Sequence, residues 1–378
     1  MSAVHVGLNL VFLVPGEIGG METYARELLP RLAALDGLRI TAFPGRAAAG
    51  TLGDGVVPEV VVPVDVRSRV QWVRGEQQLL PGLAARAGVD VVHSLASTAP
   101  LRGPFARVTT IHDLNYRMVP ETHFGVRGLG MRALVPAAAR RSHRIVVDAA
   151  STKRDLVEVL GTPAEKVDVV PLAAAAPGRA VVPTEPVALR ARLGLPEGRP
   201  VVLSASAKRP HKNVARLLDA LAGIAPERRP VLAVPGYPTP YEAELRSRAE
   251  AVGVAQDVVW PAWLAAEDLE GLFALATCVV FPSLYEGFGL PVLEAMARGV
   301  PVACSDRSSL PEVAGDAALL FDPEDVGAIR VAVERLVGDA ALRASIAERG
   351  RAQAARFTWE RTAELTAAVY ERALSQRA

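Results

Sequence analysis

The chain has 378 residues, a length that favours two domains over one. Half of the residues are hydrophobic, and 42 Lys and Arg residues against 41 Asp and Glu residues give a formal net charge of +1. This balance gives no electrostatic case for nucleic acid as a partner. Because the only cysteines are Cys278 and Cys304, we expect neither a disulfide framework nor a thiolate metal site, and a cytoplasmic location.

The apolar N-terminal segment 3–14 raises the question of a signal peptide. It has no preceding Lys or Arg and contains His5 and Asn9, so we interpret it as the first strand of a sheet. No uncharged apolar run approaches the roughly 20 residues that a membrane-spanning helix needs. We therefore expect a soluble protein that at most rests on a membrane surface.

Short apolar runs alternate with helical patterns in the first half of the chain. The predicted strands are 4–10, 39–43, 57–62, 89–93, 108–111, 144–147 and 167–170. The predicted helices are 21–35, 71–87, 126–141 and 153–160, the last capped by Ser151 or Thr152. Apolar strands separated by helices indicate a parallel sheet of Rossmann type.

Segment 171–200 is rich in Ala, Pro, Gly and Arg, and its prolines argue against a continuous regular element, so we interpret it as an interdomain linker. A second series then begins. Its predicted strands are 201–204, 231–234, 258–260, 279–281, 300–303 and 318–321. Its predicted helices are 215–224, 241–251, 266–275, 290–298 and 325–336, followed by a last helix near 359–374.

The pattern as a whole predicts an α/β protein with two Rossmann-like domains facing each other across a cleft. We place the domains at 1–175 and 176–357, with the C-terminal helix 358–378 crossing back to the first. Open parallel sheets bind ligands at the carboxyl ends of their strands, so side chains that follow the predicted strands are the candidates for a site.

The most informative of these segments follows the strand predicted at 279–281. Gly287, Phe288, Gly289 and Leu290 form a glycine-rich turn before a helix, and Glu286 and Glu294 flank them. Backbone N–H groups and the helix dipole at such a turn favour an anion, for example a diphosphate, while the carboxylates suit sugar or ribose hydroxyls. An ordinary strand-to-helix connection with surface glutamates is the alternative, which Pro291 and the paired glutamates disfavour.

Three cations lie in a short loop after the strand predicted at 201–204. Lys208, Arg209 and Lys212, close to Ser206, are suited to neutralising a diphosphate. A solvated basic loop is the alternative. The predicted sheet favours a site, because this loop and the Glu286 turn are expected at the same sheet edge.

The first half offers two weaker candidates. Gly19 and Gly20 lie at a strand-to-helix junction where backbone can approach a ligand closely, although ordinary βα loops contain such pairs equally often. His112 and Asp113 end another predicted strand, where His112 is able to hydrogen-bond a sugar or to be purely structural. His93 has the same placement and carries less weight.

Together these motifs resemble the retaining glycosyltransferases of family four, which have the GT-B fold. The resemblance covers nearly the whole chain, and the Glu286-x7-Glu294 element is its most specific part. The other matching segments are Gly19-Gly20-Met-Glu-Thr, Thr110-Ile-His112-Asp-Leu, Pro210-His-Lys212-Asn213 and Ser308-Ser-Leu-Pro-Glu-Val-Ala-Gly.

The resemblance implies transfer of a sugar from a nucleotide diphosphate donor to an acceptor hydroxyl, with the anomeric configuration kept. GDP-mannose or a dTDP- or UDP-sugar is the expected donor, and a small molecule, a glycan or a lipid-linked compound the expected acceptor. It implies catalytic roles for His112, Lys212 and Glu286. We expect no cofactor, and no metal on the diphosphate, because the chain contains no Asp-x-Asp motif. The implied donor-binding residues are Gly19, Gly20, Ser206, Lys208, Arg209, Lys212, Leu264, Gly287, Phe288, Gly289, Leu290 and Glu294.

Three positions depart from the family pattern. Ser206 stands where Arg or Thr is frequent, so Lys208 or Arg209 is expected to share the diphosphate charge. Asp148 replaces a common serine, and Ala262 replaces a common glycine beside the base pocket. An epimerase, a phosphorylase and a non-catalytic sugar-nucleotide-binding protein are the alternatives on the same fold.

A membrane-bound acceptor is a separate question. An arginine-rich segment with almost no acids lies in the first domain, and we favour a solvated helix face there over a membrane contact. Its members are Arg127, Arg132, Arg140, Arg141 and Arg144.

Overall fold

The computed structural model describes residues 3–52, 55–119, 125–174 and 181–377, apart from the side chains of 125–129. The chain forms two compact units, each with its own parallel sheet. Unit 1 comprises 1–117, 123–173 and 357–378, and unit 2 comprises 118–122 and 174–356. The domain boundary predicted at 175 and 176 lies outside the described residues.

Unit 1 is built on a six-stranded parallel sheet with strand order β2-β1-β3-β4-β5-β6. The strands are β1 (Val4–Leu10), β2 (Leu38–Pro44), β3 (Val91–Ser94), β4 (Ala106–Thr110), β5 (Arg144–Val147) and β6 (Val167–Val169). In β1, next to the edge strand β2, Val6 pairs with Ile40 on one side and with Val91 on the other. All residues of β1 after Val4 are buried, as expected for a strand covered on both faces.

The helices of this part of the chain follow the strands in βα order. They are α1 (Gly20–Ala33), α2 (Arg69–Arg74), α3 (Leu80–Ala87), α4 (Asn115–Met118), α5 (Gly125–Arg141) and α6 (Ala150–Leu160). A π-helical turn at Gly75–Leu79 joins α2 to α3. The helix predicted at 71–87 is therefore present, but with a local change of pitch.

Unit 2 repeats this architecture with strand order β12-β11-β10-β7-β8-β9, again all parallel. Its strands are β7 (Val201–Leu203), β8 (Val231–Ala233), β9 (Val258–Val259), β10 (Cys278–Phe281), β11 (Val302–Ser305) and β12 (Leu319–Phe321). Its helices are α7 (Pro186–Leu193), α8 (Val214–Ala222), α9 (Tyr241–Ala251), α10 (Ala266–Leu275), α11 (Leu290–Ala297), α12 (Leu310–Ala314), α13 (Val326–Gly338) and α14 (Ala340–Ala354).

The last helix, α15 (Trp359–Ser375), packs against α1 and against β3, β4 and β5 of unit 1. Its buried face includes Trp359, Val369 and Tyr370. The hydroxyl of Thr362 donates a hydrogen bond of 2.7 Å to the carbonyl oxygen of Pro171. Apolar side chains and a buried polar contact thus fix the helix to this sheet.

Some sequence predictions of the elements are wrong. Segment 57–62 is not a strand but runs beside β2 through isolated bridges at Glu59 and Val62. Segment 171–200 contains α7, whose first residue is Pro186 and whose N-terminal N–H groups are capped by Glu185. Ser151 and Thr152 do not cap α6, because the helix already begins at Ala150.

Candidate functional site

The glycine-rich turn of unit 2 has the predicted strand-turn-helix form. It connects β10 to α11, and Gly289 immediately before the helix has φ 112° and ψ 40°. A Cβ atom at this position would lie 2.7 Å from Cδ2 of Leu310, so both backbone conformation and space require glycine. Pro291 is in the first turn of α11, as predicted.

Two serines hold this turn in place. The Ser308 hydroxyl accepts a hydrogen bond of 2.8 Å from the N–H of Glu286 and lies 3.0 Å from the Glu286 carbonyl oxygen. The Ser309 hydroxyl lies 3.0 Å from the same oxygen and 2.7 Å from the carbonyl oxygen of Phe288. Neither serine is among the residues predicted for the site, although their segment matches the family pattern.

Within the turn, the structure separates exposed from buried residues. Gly287, Phe288 and Gly289 are buried, whereas Glu286 and Leu290 are partly exposed. Phe288 is only 6% exposed, so its side chain belongs to the packing of the turn. The carboxylate of Glu286 and the start of α11 are therefore the accessible parts of the predicted anion site.

Lys212 and Glu286 form an ion pair at the carboxyl edge of the unit 2 sheet. The Nζ atom of Lys212 lies 2.6 Å from Oε1 of Glu286, and the exposed fractions of the side chains are 16% and 12%. The ammonium also lies 5.3 Å from the ring centroid of Phe281. The two loops leave the adjacent strands β7 and β10 at the same edge, as the sequence predicted.

Asn213 fixes the conformation of the Lys212 loop. Its φ of 59° is left-handed, and its Nδ2 group donates hydrogen bonds of 3.0 Å to the carbonyl oxygen of Pro282 and 2.8 Å to that of Pro323. The hydroxyl of Ser283 and the N–H of Leu284 donate to the carbonyl oxygen of His211. The loop that carries Lys212 is therefore anchored to the segment that leads into the Glu286 turn.

The other predicted cations of this loop differ in their surroundings. Lys208 is 1% exposed, donates a hydrogen bond of 2.9 Å to the carbonyl oxygen of Gly236 and forms an ion pair of 3.1 Å with Glu242. This burial argues against the predicted diphosphate contact of Lys208. Arg209 is exposed and has no ion pair within the part of the chain that the structure describes, and Ser206 is partly exposed.

Glu294 lies one turn inside α11 and is partly buried. Its carboxylate has no hydrogen-bond or ion-pair partner among the described residues. Burial raises the pKa of Glu294, the charge of Arg298 opposes this rise, and Glu270 adds to it. Because Arg298 is paired with Glu270 and donates to the backbone carbonyl oxygen of Glu294, the Glu294 carboxylate remains available to hydroxyl donors.

Leu264 lies after β9, next to an aromatic pair. The rings of Trp263 and Tyr237 are stacked, with centroids 4.3 Å apart and an angle of 18° between the planes. Trp263 is 63% exposed, an uncommon degree of exposure for a large aromatic side chain, and Leu264 is partly exposed. These residues give the carboxyl edge beside β8 and β9 an apolar surface.

In unit 1, Gly19 and Gly20 are exposed at the start of α1. Gly19 has φ 55° and ψ −127°, a conformation that favours glycine, and no described atom lies within 4 Å of the place of a Cβ atom. The carboxylate of Glu22 accepts a hydrogen bond of 2.7 Å from the N–H of Gly16 and closes the loop. The backbone at Gly19 is thus open to close approach by a ligand.

His112 follows β4 and is bound on both sides of its ring. Nδ1 lies 2.7 Å from Oδ2 of Asp148, which is 2% exposed, and Nε2 lies 2.9 Å from the carbonyl oxygen of Leu95. Burial acts to lower the pKa of His112, but the charge and hydrogen bond of Asp148 raise it above its ordinary value. In the sequence, Asp148 differs from the family pattern, but the pattern predicts no contact between Asp148 and His112.

His93 belongs to a buried polar network of unit 1. Its Nε2 atom lies 2.8 Å from the hydroxyl of Thr110, which in turn lies 3.1 Å from that of Tyr24, and its Nδ1 atom lies 2.9 Å from the hydroxyl of Tyr370. Burial lowers the pKa of His93 to about 3, so the ring is neutral at physiological pH. This placement agrees with a structural role.

The arginine-rich segment does not form a uniform basic face. Arg144 is buried and forms an ion pair of 2.6 Å with Asp168, whereas Arg132, Arg140 and Arg141 are exposed. The side chain of Arg127 lies outside the described residues. Within the described chain, no helix is both long enough and apolar enough to span a membrane.

Comparison with known proteins identifies both units. A family model described as glycosyl transferases group 1 matches residues 188–353, and one described as glycosyltransferase family 4 matches residues 18–174. The O-antigen chain mannosyltransferase B of Escherichia coli is 32% identical over 269 residues, which cover 70% of each chain. The D-inositol 3-phosphate glycosyltransferase of Acidothermus cellulolyticus is 29% identical and aligns with 100% of this chain and 90% of its own.

Solved structures share the fold over nearly the full length. Anabaena Alr3699/HepE in complex with UDP-glucose superimposes with a TM-score of 0.76 at 20% identity, covering 97% of this chain and 99% of that one. At this identity the likeness concerns the fold.

Proposed function

This chain belongs to the group 1 glycosyl transferases of family 4, which have the GT-B fold, and from that premise we propose a specific reaction for it. It moves a hexose or deoxyhexose from a nucleotide diphosphate sugar to an acceptor hydroxyl and keeps the anomeric configuration. GDP-mannose or a dTDP- or UDP-sugar is the donor, and the reaction needs no metal. The similarity to an O-antigen mannosyltransferase and the UDP-glucose in a structural neighbour support this donor class.

The observation that carries the proposal is the arrangement at the carboxyl edge of the unit 2 sheet. There the Lys212 ammonium and the Glu286 carboxylate lie 2.6 Å apart, next to the N-terminus of α11. A diphosphate needs positive charge and N–H donors, and a sugar needs hydroxyl acceptors. This edge offers both within the span of one small ligand.

The partly or fully exposed residues of unit 2 then each have one task. Lys212 and the exposed Arg209 neutralise the diphosphate, with Ser206 as a neutral neighbour. Glu286 accepts hydrogen bonds from the donor sugar, and Glu294 accepts them from the ribose hydroxyls. Leu264, beside the exposed Trp263, lies against the nucleobase.

Unit 1 contributes backbone and a histidine to the same proposal. At the start of α1, Gly19 and Gly20 leave the backbone open to a ligand, since neither carries a side chain. His112 contacts the donor sugar near the reacting carbon. Lys208 is left out of the donor set because its ammonium is buried against Glu242 and the carbonyl oxygen of Gly236.

The chemistry requires no protein nucleophile. The bond between the anomeric carbon and the phosphate oxygen breaks, and the acceptor oxygen bonds to the same face of the sugar. The departing phosphate oxygen takes the acceptor proton. Lys212 and the backbone dipoles at α11 stabilise the charge that develops on this oxygen, which is the largest contribution that fixed groups make to such steps.

Thermal unfolding in the presence of GDP-mannose, dTDP-rhamnose and UDP-glucose tests the donor class. A ligand present at a hundred times its dissociation constant adds about 2.7 kcal/mol to stability, so one member of the panel is expected to raise the Tm clearly. The free sugars serve as controls and are expected to have no effect. If no nucleotide diphosphate sugar stabilises the chain, the proposed donor class is wrong.

A further inference from the structure

The ring of His112 is held between two groups that only accept hydrogen bonds. Nδ1 lies 2.7 Å from a carboxylate oxygen of Asp148, and Nε2 lies 2.9 Å from the carbonyl oxygen of Leu95. A neutral imidazole has a single N–H group, so it satisfies one of these acceptors and leaves its other nitrogen facing an oxygen lone pair. A ring protonated on both nitrogens satisfies both.

Asp148 is placed to supply the compensating charge. It follows β5 directly, is 2% exposed, and directs Oδ2 at His112, while Oδ1 has no hydrogen-bond partner among the described residues. A buried carboxylate with one unsatisfied oxygen is costly unless a cation is next to it. A neutral side chain at this position, such as serine, is unable to provide that charge.

The other titratable groups around His112 favour the same protonation state. Tyr24 of α1 contacts the ring edge to face, with ring centroids 5.2 Å apart, and burial raises the pKa of Tyr24 well above its ordinary value, so its hydroxyl carries no charge. His93 of β3 is also neutral, because burial lowers its pKa to about 3. The remaining charges that act on His112 are those of Asp148 and Asp113, which are both negative.

We propose that Asp148 is a positioning residue of the transfer reaction, which holds His112 as an imidazolium hydrogen-bonded on both ring nitrogens. The inference rests on the proposed function, since it takes His112 as part of the donor site. With both nitrogens engaged, His112 has no lone pair for general-base catalysis and no free N–H group for a sugar hydroxyl. It presents the face of a fixed, positively charged ring, and the acceptor proton leaves with the phosphate.

Asp148→Asn removes the charge at nearly constant shape and tests the proposal. The rate of the wild-type enzyme is expected to stay constant up to a pH above the ordinary pKa of histidine. In the variant, the alkaline fall of kcat is expected to move to lower pH by at least about one unit. At pH 8 this shift corresponds to roughly tenfold slower transfer, which recovers at pH 6, while KM for the donor changes little.

A change that only loosens the fold lowers the rate at all pH values, so recovery at low pH distinguishes positioning from structural support. Asp90→Asn is the control, because Asp90 is another aspartate of this sheet and accepts a hydrogen bond from the backbone N–H of His5, at the opposite end of the sheet from His112. Its pH profile is expected to equal that of the wild type. An Asp148→Asn profile that coincides with that of the wild type would overturn the proposal.

Nitrogen NMR of the His112 ring in the full-length chain provides a readout that does not depend on transfer. The signals are assigned by difference from His112→Gln. In the wild type at pH 7.5 they are expected to show that both ring nitrogens are protonated. In Asp148→Asn the ring is expected to be neutral, and Asp148→Ser replaces this variant if it does not fold. A neutral His112 ring in the wild type would overturn the proposal that Asp148 holds His112 as an imidazolium. A charged ring in an enzyme that transfers no sugar from any donor contradicts the proposed function instead.

Discussion

Lys212 and Glu286 hold each other in an ion pair of 2.6 Å, so the two groups proposed to bind the diphosphate and the sugar are not independent. A phosphate that approaches the ammonium competes with the carboxylate for it, and a sugar hydroxyl that donates to Glu286 makes this competition easier. We infer that a nucleotide sugar breaks the Lys212–Glu286 ion pair more readily than a nucleotide without a sugar does.

Replacing Lys212 tests the stabilisation of the leaving group. Lys212→Ala is expected to raise the barrier by about 2 to 4 kcal/mol, which corresponds to a roughly 30- to 1,000-fold lower kcat. Steady-state transfer assays with saturating donor measure this effect. Arg228→Ala removes an arginine that is 72% exposed at its ion pair with Glu334, and it is expected to leave kcat unchanged. If Lys212→Ala keeps the full transfer rate, the Lys212 ammonium does not stabilise the leaving phosphate.

The Glu294 carboxylate gives donor binding a predictable pH dependence. Because burial raises its pKa, the residue becomes protonated as the pH falls through this raised value and then loses acceptor capacity. Donor affinity is therefore expected to weaken on acidification. Glu294→Ala is expected to cost about 1.5 to 3 kcal/mol of binding and to abolish this dependence, as measured by calorimetry. Unchanged binding by the variant would refute the ribose assignment.

The turn between β10 and α11 depends on a glycine that no other residue replaces without strain. Gly289→Ala places a methyl group 2.7 Å from Leu310 at φ 112°, and we expect a loss of at least about 1 to 3 kcal/mol in the free energy of unfolding. Urea unfolding measures it. Gly338→Ala is the control, because Gly338 ends α13 with open space around it, and this variant is expected to be neutral or slightly stabilised.

Local signals in the sequence were sufficient for the most regular elements. The strand β10, the glycine turn and α11 lie within a residue of their predicted positions, because Pro291 and Gly299 mark the two ends of the helix. Segment 57–62 has the same apolar character as a strand but forms only isolated bridges with the region of β2. The apolar pattern of a segment does not show whether the segment pairs continuously with a neighbouring strand.

The contacts of single side chains could not be predicted from the sequence, because the contacting residues lie far apart along the chain. Lys208 looks like a phosphate ligand in its loop, yet it bonds to Gly236 and Glu242, which reach it through β8 and α9. Asp148 lies 36 positions from His112 and meets it only because β4 and β5 are neighbours. Both contacts follow from strand order, which the sequence did not specify.

At the scale of the whole molecule, the last helix, α15, packs on unit 1. α15 contacts α1 and the strands β3, β4 and β5, and Tyr370 reaches His93 with its hydroxyl. Unit 1 therefore depends on residues that come after all of unit 2 in the sequence. The core of unit 1 is incomplete without α15.

Removing the last helix is expected to destabilise unit 1 as a whole. Truncation after residue 356 uncovers apolar surface on α1 and the sheet, and each large buried side chain contributes about 1.5 to 3 kcal/mol. The truncated chain is expected to be insoluble or to unfold at a markedly lower temperature, as scanning calorimetry would show. Removing only 376–378 is expected to have little effect. Equal Tm values for the two truncations would contradict the role of α15.

The configuration of the transferred sugar tests the proposed reaction most directly. The enzyme is incubated with the donor that stabilises it best and with a panel of alkyl glycosides as acceptors, and proton NMR follows the anomeric signal of the first product formed. We predict a new glycosidic bond with the same anomeric configuration as in the donor, formed together with one equivalent of nucleoside diphosphate. A product of inverted configuration, or an epimerised nucleotide sugar without transfer, would contradict it.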